Sequence, residues 1–299
     1  VRRAWLTLGS LSVELHQPDA GYYVTELDLG TPDVREVVTN RPDADGIDDR
    51  TVFMGGRVVS VDVAAVAGAG AQIDAVAGMF APFMIPSARP TFHYILDRPG
   101  LPERTLVVRA QVYAFKVDND YQRDIHLQWI ASDPAAINPV AKVITVYPGA
   151  SVELGRTYNE VPPRTYPAGA PRAAQGANAY NAGDVPVHPV LRFNGPVTAP
   201  MFNCSNTTQG GVQSGRVTFA QSMVIDAGAY VLVDTAQRTA YRNGDPTQDV
   251  TALLNWTNMA NNGGWPLFQP RSNHWCGESG QSTTDVTNTT ATWNERYLT

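Results

Sequence analysis

Asp124-Ile125-His126-Leu127-Gln128-Trp129-Ile130-Ala131 is the stretch whose reading decides the fold class. In an extended chain Ile125, Leu127, Trp129 and Ala131 fall on one side, and Asp124, His126 and Gln128 on the other. Strand side chains alternate faces with period two, so the stretch reads as a half-buried β-strand with Trp129 in the core and His126 solvated. The same period recurs along the chain. Val59, Val61 and Val63 share a face against Ser60 and Asp62. Leu106, Val108, Ala110, Val112 and Ala114 make a long apolar face against Arg109, Gln111 and Tyr113. Val217, Phe219, Gln221, Met223 and Ile225 repeat the spacing. β-Branched and aromatic residues fill these stretches, and turn formers bound them, with Asp45-Gly46, Asp118-Asn119 and Asn243-Gly244 as candidate turns. The chain is mainly β on this evidence.

One segment departs from the rhythm. Ile73, Val76, Met79 and Phe80 recur at helical spacing before Pro82, which predicts one short helix over 71–81 packed on a sheet. Residues 157–186 are rich in proline, glycine and alanine and poor in large apolar side chains, the composition of an extended excursion or binding arm. The rhythm resumes at Val187 as a series of short strands, the kind that two facing sheets bury.

Composition narrows the function classes. At 299 residues and 43% apolar, the chain can build two cores, and a net charge of −6 argues against binding nucleic acid through its phosphates. The basic start at Arg2-Arg3 leads only into Ala4-Trp5-Leu6 before Gly9-Ser10, too short for a signal-peptide core. No apolar run approaches the ~20 residues of a membrane span. His16, His93, His126, His188 and His274 form no metal-binding spacing. Asp43, Asp45, Asp48 and Asp49 resemble the start of a calcium loop, but Gly46 comes too early and Met54 stands where that pattern needs Glu, so a solvated acidic loop is the reading. There is no Gly-x-Ser-x-Gly elbow, and Gly9-Ser10 and Gly215-Arg216 read as turns. No catalytic residue, cofactor or metal is nominated, and a cell-wall hydrolase has only scattered carboxylates in its favour. Trp256, Trp265 and Trp275 cluster late in the chain, where tryptophans that plug the ends of a sandwich are the first reading and sugar platforms the second. They carry the alternative reading, a host-surface carbohydrate-binding module. The sequons at Asn203, Asn206, Asn255 and Asn288 are expected by chance in so Ser/Thr/Asn-rich a chain.

Four further stretches occur in a telling order. Asp45-Gly46-Ile47-Asp48 leads into a strand with Gly55-Gly56-Arg57. The strand at Leu127 ends in Ala131-Ser132-Asp133-Pro134. Asn181-Ala182-Gly183-Asp184-Val185-Pro186 precedes Pro189, a strand and Gly195-Pro196. Val231-Leu232-Val233-Asp234-Thr235 precedes Arg238-Thr239-Ala240-Tyr241-Arg242-Asn243-Gly244. Together they resemble the siphophage distal tail protein family, minor tail proteins at the tail tip or baseplate hub. The chain departs at Ala135-Ala136-Ile137, where the family often carries an aromatic residue.

The resemblance implies an N-terminal ring-forming β domain over 1–134 and a galectin-like β-sandwich over 135–292 with an arm at 157–186. It also implies a final strand near 293–299 that returns to the first domain. The implied role is structural and non-enzymatic: a virion subunit forming a homohexameric ring. That ring joins the tail tube protein to the tail-tip protein and receptor-binding proteins, with no membrane partner and with DNA passing through it. Assembly in the reducing host cytoplasm makes free thiols the expectation for Cys204 and Cys276, although the two can pair across a sandwich.

Overall fold

The computed structural model describes residues 3–40, 47–66, 70–119, 122–148, 174–261, 263–284 and 286–298, with backbone only for 34–40, 47–53, 70–73 and 115–119. The chain forms two compact units, Val1–Pro139 with Arg296–Thr299, and Val140–Glu295.

The first unit contains β1 (Arg3–Leu8), β2 (Leu11–Glu14), β3 (Tyr22–Asp28), β4 (Val34–Asn40), β5 (Ile47–Met54), β6 (Arg57–Val66), helix α1 (Gly70–Phe80), β7 (Thr91–Ile95), β8 (Arg104–Val107), β9 (Arg109–Asn119), β10 (Gln122–Ala131) and β11 (Ala136–Ile137). A strand from the far end of the chain, β22 (Arg296–Tyr297), completes it. One antiparallel sheet runs β2-β1-β7-β8-β11-β22, another β3-β6-β10-β9, and β4-β5 form a separate hairpin. Ile125, Leu127 and Trp129 of β10 lie opposite Val63, Val61 and Val59 of β6, so the two alternating faces meet on one side of the sheet. All six side chains are buried, together with Leu6, Tyr22, Phe80, Phe92 and Tyr94. Trp129 Nε1 still finds an acceptor, the Phe83 carbonyl at 3.3 Å.

Two expectations need correction here. Val76 and Phe80 of α1 are buried, but Met79 is 42% exposed and Ala77 takes its place on the core side. Through Pro82 the chain continues as a 3-10 turn, Ala81–Met84, that buries Phe83 and Met84. The apolar row from Leu106 to Ala114 is two strands in two sheets rather than one face. β8 ends at Val107, and β9 then joins the other sheet. Trp129 pairs with Ala110 and Gln128 with Val112, so Gln111 is an extra residue. Such a β-bulge inverts the inside–outside parity of everything after it. Val112 and Ala114 therefore face out. Tyr113 faces the helix and donates its hydroxyl to the Ala77 carbonyl at 2.6 Å.

The second unit contains β12 (Lys142–Val146), β13 (Ala177–Asn181), β14 (Val190–Asn194), β15 (Val197–Asn206), β16 (Val212–Thr218), β17 (Val224–Ile225), β18 (Tyr230–Asp234), β19 (Thr239–Arg242), helix α2 (Trp256–Ala260), β20 (Ser272–Gln281) and β21 (Asn288–Trp293). One sheet runs β12-β21-β14-β18-β19 and the other β13-β20-β15-β16, with β17 on β15. Leu191, Phe193, Val231, Val233 and Ala291 from the first sheet share one core with Ala179, Phe202, Cys204, Val217 and Cys276 from the second. This is a β-sandwich, in which the period-two rows become the two inner faces.

Residues 177–181, read as part of the excursion, are instead β13, an edge strand paired with β20. Ala179 is buried there and Gly176 lies so close under Trp275 that a Cβ would fall 2.3 Å from its ring. Small residues at this edge are packing residues and not a sign of loop. The excursion before residue 174 lies outside the described residues. Trp293 belongs to β21 and meets Phe268 edge-on at 5.0 Å, so only Arg296–Tyr297 pairs with β11. Cys204 and Cys276 are disulfide-bonded, against the free-thiol expectation. They are cross-strand partners on β15 and β20 within one sheet, not partners across the sandwich.

Candidate functional site

Several of the residues singled out by sequence order make local structural contacts. Asn181 is fully buried; its Nδ2 donates to the carbonyls of Val185 (3.1 Å) and Phe268 (2.9 Å), and its Oδ1 accepts the Gly183 N–H at 3.0 Å. Asp184 pairs with Arg271 at 2.5 Å. Thr235, also buried, donates to the Pro189 carbonyl at 2.6 Å, while Asp234 accepts the N–H groups of Ala236 and Gln237, both at 2.9 Å. Gly195-Pro196 is a cis peptide, and a Cβ on Gly195 would stand 2.2 Å from the Asp226 carbonyl oxygen. Asn243 and Gly244 take φ of 51° and 70° in a β-turn closed by the Asp245 N–H on the Arg242 carbonyl at 2.9 Å; pairing resumes only at Gln248, so they open a longer loop and not the two-residue hairpin expected.

In the first unit Gly55 donates to the Asp33 carbonyl at 2.6 Å, the buried Arg57 guanidinium donates to the Leu298 carbonyl, and Asp133 next to Pro134 holds Arg296 at 2.5 Å. Arg57 and Asp133 thus secure the returning C-terminal strand. Asp45 and Gly46 lie outside the described residues, as do Asp43 and its neighbours up to Gly46; Asp48 and Asp49 are described in backbone only, within β5. Among the described residues of each unit these positions do not gather at one place.

The polar side chains that do gather lie at one end of the sandwich, and the sequence reading missed most of them. Gly215 is not in a turn. Cys204 pairs with Gly215 and Ser205 with Gln213, so Ser214 is the extra residue of a bulge in β16. Gly215 has φ +133°, and a Cβ there would lie 2.5 Å from Pro266 Cα. Only glycine lets the Trp265-Pro266 segment approach so closely. An isolated glycine inside an alternating run was the available signal.

The bulge re-aims Ser214 into a groove of about 530 Å³, which also takes in Asn206, Gln209, Gln213, Arg238, Trp265 and Gln269. Trp265 meets Trp256 edge-on at 5.5 Å, so two of the three candidate platform residues come together. Trp275 faces out from β20 against Gly176 and makes no ring contact with them among the described residues.

His274 lies buried behind the groove. Its Nε2 accepts the Gln269 N–H at 3.0 Å, so the proton sits on Nδ1 and is donated to Ser214 Oγ at 3.0 Å. Burial pushes its imidazole below the ordinary histidine range. A neutral His274 that already gives its proton to Ser214 cannot take one from it, so this Ser–His contact orients a hydroxyl and does not activate it. Deeper in the sandwich Glu278 is 6% exposed, and burial pushes its carboxyl up to about 8. Among the described residues no three His, Cys, Asp or Glu side chains cluster to hold a metal.

No protein-family model matches the chain, and no curated protein sequence does. Solved structures do. The crystal structure of the SPP1 Dit (gp 19.1) protein, described as a paradigm of hub adsorption apparatus in phages infecting Gram-positive bacteria, is 14% identical with a TM-score of 0.65 over 99% of both chains. A chain of the activated phage P2 baseplate with calcium is 8% identical, at a TM-score of 0.40 over 95% of this chain and all of that one. Low identity over the whole length leaves the fold as the shared property. From end to end, the chain shares the fold of the SPP1 Dit hub protein, in agreement with its resemblance to the distal tail family.

Proposed function

We propose that the chain is a structural, non-enzymatic hub of a phage tail tip. The observation that carries this reading is the likeness to SPP1 Dit along both units, at a TM-score of 0.65. Copies of the chain form a homohexameric ring through heterologous contacts, which must close to avoid an open filament. The first unit lines the ring and the galectin-like sandwich decorates it. One face of the ring docks the tail tube protein, and the other holds the tail-tip protein and receptor-binding proteins. A net charge of −6 per chain suits a channel through which DNA passes without adhering. The pins of the returning strand, Arg57 and Asp133, support a first unit rigid enough to serve as such a frame.

Mass measurement of the purified chain in solution checks the reading. A closed oligomer of six is the expected result. A monomer at every concentration that never enters tails would overturn it.

A further inference from the structure

We infer that the groove beside Trp265 is a saccharide-binding site, selective for sugars bearing N-acetyl or uronate groups. This goes beyond the hub role and does not depend on it. Sugar recognition needs an aromatic surface for the C–H face of the ring and planar polar groups for its oxygens. Trp265, half-buried against the second core and met by the edge of Trp256, lines the groove and is the residue that would supply the first.

The polar groups exceed what the fold itself uses. Asn206 is 2% exposed; its Oδ1 accepts the Gln209 N–H at 3.1 Å, while Nδ2 meets no protein acceptor. Nε2 of Gln213 is buried without an acceptor as well. Buried amide groups left in this state are uncommon, because an N–H that has given up water is destabilising until an acceptor reaches it. Ser214 adds a third donor. Its oxygen already accepts from His274, which leaves its own proton to give. Arg238 adds a charged donor, and no Asp or Glu is among the residues lining the groove.

The site is therefore rich in donors and calls for a ligand rich in acceptors. A sugar hydroxyl donates as well as accepts, whereas an acetamido carbonyl or a carboxylate oxygen only accepts, so a saccharide bearing one of these matches the donors best and brings a ring for Trp265. The volume, about 530 Å³, falls within the ~300–1,000 Å³ typical of small-ligand sites.

The test uses the intact chain on an array of oligosaccharides with unsubstituted neutral, N-acetylated and uronate-bearing arms, followed by titration of the best binder with tryptophan fluorescence as readout. Binding is expected on the N-acetylated or the uronate arm. Trp265→Leu and Gln213→Leu should each weaken it tenfold or more, and Trp275→Ala should leave it unchanged. Arg238→Ala, at an exposed side chain that the fold does not need, should weaken the uronate arm most. Absence of binding on every arm, binding confined to sugars that carry neither an N-acetyl nor a uronate group, or wild-type affinity in folded Arg238→Ala and Gln213→Leu variants would overturn the site. Assembly of the chain into tails bears only on the hub reading, so the two can fail separately.

Discussion

Cys204 and Cys276 lie directly opposite one another on β15 and β20, 4.2 Å apart at Cα, and their disulfide closes a 72-residue span. Both are fully buried between the sheets. A reductant should reach the bond only when the sandwich opens, so the folded protein is expected to keep it in millimolar thiol. Closing a loop of this length removes freedom from the unfolded chain and stabilises by about 2–4 kcal/mol. The Cys204→Ala/Cys276→Ala variant should lose that much in a urea titration. An unchanged midpoint would show that the bond adds nothing to the fold.

Glu278 makes stability depend on pH in an unusual direction. Unfolded, its carboxyl ionises near the ordinary 4.5; folded, burial holds the proton until about pH 8. Between those values unfolding releases a proton, so stability falls as pH rises and levels off above the folded value. One pH unit corresponds to about 1.4 kcal/mol, which makes the loss on the order of a few kcal/mol. Glu278→Gln keeps the shape and removes the titration. Denaturation between pH 5 and 9 should show wild type declining and the variant flat by comparison; parallel curves would rule the effect out.

Asn181 serves three backbone partners from a site with no access to water. Its replacement by Ala strands the Val185 carbonyl and the Gly183 N–H of the turn that precedes β14, and leaves the Phe268 carbonyl with the Val187 N–H alone. The expected cost is about 2–4 kcal/mol, read as a lowered melting temperature. Asn181→Asp should cost more, because a carboxylate would then face two carbonyl oxygens.

Gly215 combines a positive φ with the close approach of Pro266. Gly215→Ala is expected to destabilise the second unit by at least about 2 kcal/mol, since the backbone must move and Ser214 with it. Calorimetry on the variant checks this. A wild-type melting profile would mean that the bulge tolerates a side chain.

The fold was legible where one period ran undisturbed. Val59 to Val63 and Ile125 to Ala131 alternate without interruption, and their faces meet as the pattern requires. Phe80 and Val76 likewise reported the buried side of α1. Legibility failed where a single residue was inserted. Gln111 inverts the parity of β9, and period-two reading then assigns Val112 to the core and Tyr113 to solvent. Ser214 does the same in β16, and the groove follows from that one bulge. Asn206 and Ser214 are near in sequence but His274 lies 60 residues beyond Ser214, and only the pairing of β15 with both β16 and β20 brings the three together. The disulfide was hidden for the same reason, since register and not spacing sets Cys204 opposite Cys276.

Electron cryomicroscopy of the tail tip of the phage particle tests the hub most directly. A closed six-membered ring of this chain at the end of the tail tube is the predicted result, with the first unit lining the channel and the sandwich outside. A tail tip without this chain, or one holding it as isolated single copies on the periphery, would contradict the hub role.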